Sequence, residues 1–126
     1  MKIEILHSLF LSCHSICTDT RKIKTKDMFF ALKGDNFNGN KYAEQAIETG
    51  AAYAIIDESK YNTSDKTILV EDVLKTLQEL ASYHRLYLNK PIIALTGSNG
   101  KTTTKELINA VLSKKYNTTA TIGNLN

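Results

Sequence analysis

Proline occurs once in these 126 residues, at Pro91, and cysteine twice, at Cys13 and Cys17. With no Pro-rich stretch, internal repeat or low-complexity tract, the chain is neither a linker nor a fibrous array. Two cysteines flanking His14 cannot complete a four-ligand zinc site, so they read as reduced thiols. No apolar run approaches the roughly 20 residues a membrane-spanning helix needs. The opening "MKIEILHSLFLSC" is interrupted by Glu4 and His7 too soon to serve as the apolar core of a signal peptide. Charge is also unremarkable in sign: 16 Lys and Arg stand against 13 Asp and Glu, a net of +3. That balance argues against a nucleic-acid surface and leaves phosphorylated small molecules as compatible partners. What remains is the composition of a soluble globular protein, 42% hydrophobic and 23% charged. It is expected to be cytoplasmic and monomeric.

The chain alternates helical and strand patterns. Ile3, Leu6 and Phe10 fall on one face of an opening helix. Ser15 to Arg21 reads as a short strand ending in polar residues, and Asp27 to Gly34 as a second strand, followed by a loop in "DNFNGN". Tyr42, Ala43, Ala46 and Ile47 make a helical stripe that Gly50 is suited to end. "AAYAIID" is a buried strand and "TILVED" another. A long helix from about Asp72 to Leu88 carries Val73, Leu77, Leu80, Ala81 and His84 at helical spacing, with Glu71 and Asp72 at the end where the macrodipole favours negative charge. Asn89, Lys90 and Pro91 close it, and a domain boundary is expected there: 1–88, then 89–126.

The second segment opens with "PIIALTGSNGKTTTKELINAVL", Pro91 to Leu112. An apolar strand runs into a turn containing Gly97 and Gly100, and a helix starts at the threonines. Such a loop can turn successive backbone N–H groups, from Gly97 through Ser98, Asn99 and Gly100 to Thr103, toward an anion. Lys101 would carry its ammonium to the terminal phosphates of ATP, the Thr102 hydroxyl would reach Mg²⁺, and the helix N-terminus adds partial positive charge. The spacing G-x-x-x-x-G-K-[ST] calls for glycine at position 95, where Leu95 stands.

That shortened loop, "TGSNGKTTTKE", resembles the phosphate loop of the Mur ligases, ATP-dependent enzymes that join an amino acid or peptide to a carboxylate. The preceding "CTDTRKIKTKDMFFALKGDNFNGNKYAEQAIETGAAYAII" is similar to the family's N-terminal uridine-diphosphate-binding domain, whose pattern is roughly S-x-D-[ST]-R, G-D-[LI]-F-x-A-x-x-G and D-G-H. Cys17, Asn38 and Asn40 depart from it, standing for serine, aspartate and histidine. Within the family, "LQELASYHRLYLNKPIIALTGSNGKTTTKELI" and "ATIGNLN" are most similar to the branch that adds D-alanyl-D-alanine to UDP-N-acetylmuramoyl-tripeptide.

The resemblance implies an α/β fold: an N-terminal substrate-binding domain, then the first β-loop-α-β unit of a P-loop ATP-binding domain. It implies that the substrate carboxylate takes the γ-phosphate of ATP to give an acyl phosphate, which the incoming amine displaces. Lys101 would neutralise phosphate and Thr102 hold the metal. Uridine-diphosphate contacts fall on Thr18 and Thr20, then on Asp35, Asn36 and Phe37. Phe37 could equally be core, and Arg21 is expected to pair with Asp19 rather than contact phosphate. Asn124 and Asn126 resemble the start of a G-N-x-N-N stretch lining the cleft between domains. The phosphate loop starts too late for its domain to be complete, so the chain is expected to be the leading, inactive part of a longer ligase. The alternatives are the sibling ligase that adds the third peptide residue, and a non-catalytic UDP-sugar-binding module.

Overall fold

Apolar runs that read as strands pair in parallel in the computed structural model, which describes residues 1–123. The strands, in chain order, are β1 (Ile16–Cys17), β2 (Met28–Phe30), β3 (Lys33–Gly34), β4 (Phe37–Asn38), β5 (Tyr53–Ile56) and β6 (Thr67–Leu69). The helices are α1 (Ile3–Leu11), α2 (Ala43–Thr49), α3 (Val73–Leu88) and α4 (Lys101–Leu112). The chain divides between Lys90 and Pro91 into two units.

In the first unit a parallel sheet runs β1-β2-β5-β6, with Ile16 opposite Met28, Met28 opposite Tyr53 and Ala54 opposite Thr67. A parallel sheet needs both faces covered, and the alternation along β2 supplies two apolar faces. Met28 and Phe30 join Leu6, Ile55, Ile68, Val73 and Leu80, so α1 and α3 cover one face. Phe29 and Ala31 join Ala43, Ala46, Ala54 and Ile56, so α2 covers the other. The small residues of α2 let its backbone approach the sheet closely.

Local chemistry sets the element ends. Asp72 caps α3 by accepting the Lys75 N–H at 2.8 Å, and Asn89 ends it at φ 46°. Gly50, at φ 122°, ends α2 as its position suggested. Ala81, placed on the same helical spacing, is exposed; along α3 Val73 and Leu80 are buried and Leu77 and His84 half-buried. Where α1 crosses α3, His7 Nε2 lies 3.0 Å from His84 Nδ1, and the buried His7 ring packs against Tyr83 and Tyr87.

Two strands are shorter than their sequences suggest. Ser15 to Arg21 pairs only at Ile16 and Cys17, because the Asp19 carboxylate accepts the Arg21 N–H at 3.0 Å and turns the chain into a 3₁₀ helix, Thr20–Lys22. Asp27 to Gly34 leaves the sheet after Phe30. There the Leu32 N–H donates to the Phe30 carbonyl at 2.9 Å, a three-residue turn that sends Lys33–Gly34 into a separate antiparallel hairpin with Phe37–Asn38.

The second unit, by itself, presents α4 and irregular chain. Pro91 to Thr96, expected as a strand, forms no ladder among the described residues, and Ile92, Ile93 and Leu95 are exposed. The segment after α4, up to residue 123, forms none either. A strand exists through its neighbours, since its N–H and C=O groups need partners, and no paired strand occurs among the unit's described residues.

Candidate functional site

Ligands of open parallel α/β sheets sit beyond the carboxyl ends of the strands. Thr18 and Thr20 follow the carboxyl end of β1, and the β3–β4 hairpin follows that of β2, the adjacent strand. All five residues singled out for the uridine diphosphate therefore lie beyond the carboxyl ends of two adjacent strands. With Gly34 opposite Phe37, Asp35 and Asn36 form the two-residue tip of the hairpin and both are exposed. Phe37 is not core: it is 50% exposed and stacks on Tyr42 at a centroid distance of 5.5 Å and an interplanar angle of 10°. The pair offers a flat apolar surface beside polar tip residues, a combination that suits a heteroaromatic base.

Arg21 is committed elsewhere. Its Nε and terminal nitrogen donate to both oxygens of Asp19 at 2.9 and 2.8 Å, and this hydrogen-bonded guanidinium lowers the Asp19 carboxyl to about 2.

Beneath the hairpin lies a polar network that reading the sequence did not find. Asn40, fully buried, donates from Nδ2 to Asn38 Oδ1 at 3.0 Å and to Asp57 Oδ1 at 2.9 Å. Its Oδ1 accepts the backbone N–H groups of Asp57 at 3.0 Å and Glu58 at 3.3 Å. Asn38 donates to Glu58 Oε1 at 2.8 Å, and Lys33 Nζ reaches Asp57 Oδ1 at 2.9 Å. The other Asp57 oxygen accepts the Val73 N–H at the start of α3, at 3.3 Å. Burial pushes the Asp57 carboxyl up, but the hydrogen bonds from Lys33, Asn40 and Val73 outweigh it and the net direction is down. The departures at Asn38 and Asn40 thus sit in the scaffold that holds the hairpin. A buried strand ending in "DE" before a turn, "AAYAIIDES", is the sequence signal that could have pointed to Asp57 and Glu58.

Gly39 closes this scaffold by shape. A Cβ there would lie 2.6 Å from the Leu32 carbonyl oxygen and 2.7 Å from the Ala31 carbonyl carbon, while the Gly39 N–H donates to that same oxygen at 2.9 Å. Only glycine permits so close an approach of two backbones.

In the second unit Gly97 adopts φ 149° and Gly100 φ 76°, conformations that favour glycine. Gly100 is the N-cap of α4, and among the described residues no side chain caps the helix. Its first N–H groups are therefore open at the loop that Lys101 leads, with Ser98, Asn99, Thr102 and Thr103 all exposed. Further along α4, Lys105 Nζ donates to the carbonyls of Thr121 at 2.6 Å and Gly123 at 3.3 Å, drawing the end of the described chain onto the helix. Asn124 and Asn126 lie outside the described residues. Among the described residues no group of three or more His, Cys, Asp or Glu is placed to hold a metal ion, and no helix is long and apolar enough to cross a membrane.

Residues 12–85 match the model of the Mur ligase family, catalytic domain, and residues 95–126 that of the Mur ligase middle domain. A UDP-N-acetylmuramoyl-tripeptide–D-alanyl-D-alanine ligase of Bacillus subtilis is 44% identical over 115 residues, 90% of this chain and 25% of that protein. The ligase of the same name from Buchnera aphidicola is 41% identical over 122 residues, 96% of this chain and 26% of that protein. The crystal structure of the MurF ligase from Thermotoga maritima in complex with ADP superposes with a TM-score of 0.78 at 32% identity, covering 93% of this chain and 27% of that one. The chain thus spans about a quarter of the length of the curated relatives it matches.

Proposed function

This chain belongs to the Mur ligase family, and from that premise we propose that it supplies the UDP-sugar-binding domain and the phosphate loop of an ATP-dependent ligase that joins D-alanyl-D-alanine to UDP-N-acetylmuramoyl-tripeptide. The observation that carries the reading is the 44% identity to a ligase of that name, which extends over 90% of the chain and so across both of its units. Exposed Thr18, Asp35 and Asn36, with half-buried Thr20, hold the uridine diphosphate, and Phe37 with Tyr42 covers the base.

The second unit takes ATP. Its residues fit the nucleotide: two glycines in the left-handed region, an uncapped helix start, and a lysine with hydroxyls at the first turn. Lys101 and the N–H groups from Gly97 to Thr103 bind and orient the phosphates, and Thr102 holds Mg²⁺. Bound ATP supplies the phosphoryl group that activates the substrate carboxylate, a transfer that asks the protein for positioning and charge neutralisation. The ligase works in the cytoplasm.

Titration of the chain with UDP, followed by amide chemical shifts, tests the first site. Shifts at Thr18, Thr20 and Asp35 to Phe37 are expected, and shifts confined to other surfaces would overturn the placement. For the activity, ATP consumption by a ligase of the relatives' full length is measured with UDP-N-acetylmuramoyl-tripeptide and D-alanyl-D-alanine. Turnover with a single amino acid on the dipeptide substrate instead would move the assignment to the sibling ligase.

A further inference from the structure

The β3–β4 hairpin has two residues in each strand and exposes its tip, yet the proposed binding residues stand on it. A two-stranded ribbon this short has no stability of its own, so its orientation must be imposed from below. Three of its attachments converge on one place. Lys33 opens the hairpin, Asn38 closes it and Asn40 follows it; all three side chains bond to Asp57 or Glu58 at the carboxyl end of β5. Asp57 also accepts the first N–H of α3, so a single carboxylate ties the hairpin to the sheet and to a helix at once.

We infer that Asp57 and Asn40 are the positioning residues of the nucleotide site, fixing the hairpin so that Asp35, Asn36 and Phe37 stand in register with Thr18 and Thr20. The inference rests on the proposed reading of that hairpin as the uridine-diphosphate contact. Neither residue needs to touch the ligand. Asn40 is fully buried and uses both ends of its amide, giving two protons and accepting two, so no isosteric apolar side chain can replace it. The Asp57 carboxyl, held below its usual range by its donors, stays ionised at neutral pH and keeps the Lys33 arm engaged.

The test measures UDP dissociation constants on the 126-residue chain for Asp57→Asn, Asn40→Ala, Lys33→Met and, as a control for general loss of stability, Ile68→Ala, whose side chain belongs to the core under α1 and α3. Asp57→Asn and Asn40→Ala are expected to raise the constant about tenfold, the scale of one lost buried hydrogen bond. Lys33→Met, which cuts one half-exposed arm and leaves the core intact, is expected to raise it about two- to threefold. Hydrogen exchange at the Gly39 and Asn40 amides should quicken in the same three variants. Ile68→Ala should lower the melting temperature at least as much as they do and leave the constant unchanged. Folded Asn40→Ala or Asp57→Asn chains that bind UDP as tightly as the wild type would overturn the positioning role, as would an equal loss of affinity in Ile68→Ala. Should those two variants not fold, Lys33→Met with unchanged affinity and exchange overturns it. A wild-type chain that does not bind UDP sinks the reading of the site itself, and the positioning role with it.

Discussion

The two units use the same kinds of residue to opposite effect. In Met1–Lys90, Phe29, Phe30, Met28 and Ile55 are at most 1% exposed, sealed between helices on both faces of a sheet. In the second unit no described residue is buried, and Ile92, Ile93, Leu107 and Val111 are each more than half exposed. Apolar character alone therefore does not make a core. The first unit closes because each strand finds a neighbour and each face a helix. In the second, a strand-like run meets no ladder partner and the helix α4 buries no residue among the described residues.

The sharpest way to break that contrast is to cut a large apolar side chain from each side. Phe30→Ala should destabilise the chain by about 3–5 kcal/mol, the usual cost of emptying a buried aromatic site. Leu107→Ala, at an exposed position of α4, should stay within about 0.5 kcal/mol. Urea denaturation of both variants reads the difference. A Leu107→Ala loss comparable to that of Phe30→Ala would show that α4 is buried in solution. Amide exchange extends the test, since β2 and β5 should be protected to the global limit while a 12-residue helix with no buried residue, only a half-buried stripe through Lys105, Ile108 and Leu112, is marginal in water.

Function should divide along the same line. In a ligase of full length, Lys101→Ala is expected to cost on the order of 3 kcal/mol in the barrier for ligation, because it removes the charge that neutralises the transferring phosphoryl group. UDP affinity, held by the first unit, should be retained. Steady-state turnover alongside UDP titration checks both, and near-normal turnover would remove Lys101 from its assigned role.

Glycines sharpen the comparison from another side. Gly39→Ala forces a methyl group against the Leu32 carbonyl, and a cost of about 1–3 kcal/mol is expected from overpacking against backbone that cannot yield. At Gly100 nothing lies within 4 Å of where a methyl group would stand, so Gly100→Ala meets only the strain of φ 76°. That costs roughly 1 kcal/mol, felt within the loop. Melting temperatures should therefore fall clearly for the first variant and hardly for the second, whereas ATP affinity should respond to the second alone.

Sequence patterning carried the layered core well, because the unbroken apolar run "MFFA" and the 3.6-residue stripes of α1, α2 and α3 are local signals of burial. It also marked "DNFNGN" as a loop, whose first two residues turn the hairpin, and a turn at Gly97 and Gly100, both of which adopt positive φ. It failed where the decisive partner is distant in sequence. Asn40 and Asp57 are separated by seventeen residues and meet only after β2 and β5 pair. The early end of β1 depended on one carboxylate, Asp19, capturing an N–H two residues on. The expected strand from Pro91 to Thr96 has the right composition, but its ladder depends on neighbours that composition cannot supply.

The smallest expected effect tests a contact on the side of the first unit's sheet that α1 and α3 cover. His7 is buried at the crossing of α1 and α3, and burial, followed by repulsion from His84, lowers its pKa from the ordinary 6.5. Around it stand His84, Tyr83 and Tyr87 from α3 and Phe10 from its own helix, none of them an acid that would welcome a second charge. One imidazole must donate and the other accept across their 3.0 Å contact, so both rings cannot be imidazolium at once and keep the bond. Between the lowered folded value and 6.5 the unfolded chain binds more protons than the folded one, so stability rises with pH through that window and is lost as pH falls below 6.5. The slope cannot exceed about 1.4 kcal/mol per pH unit for one proton. Urea midpoints measured from pH 7.5 down to about 5 should decline, and His7→Phe should flatten the decline while leaving the second unit's helix signal unchanged. A midpoint that does not move over that range, or that falls as steeply in His7→Phe, would show that this crossing is not what acid attacks first.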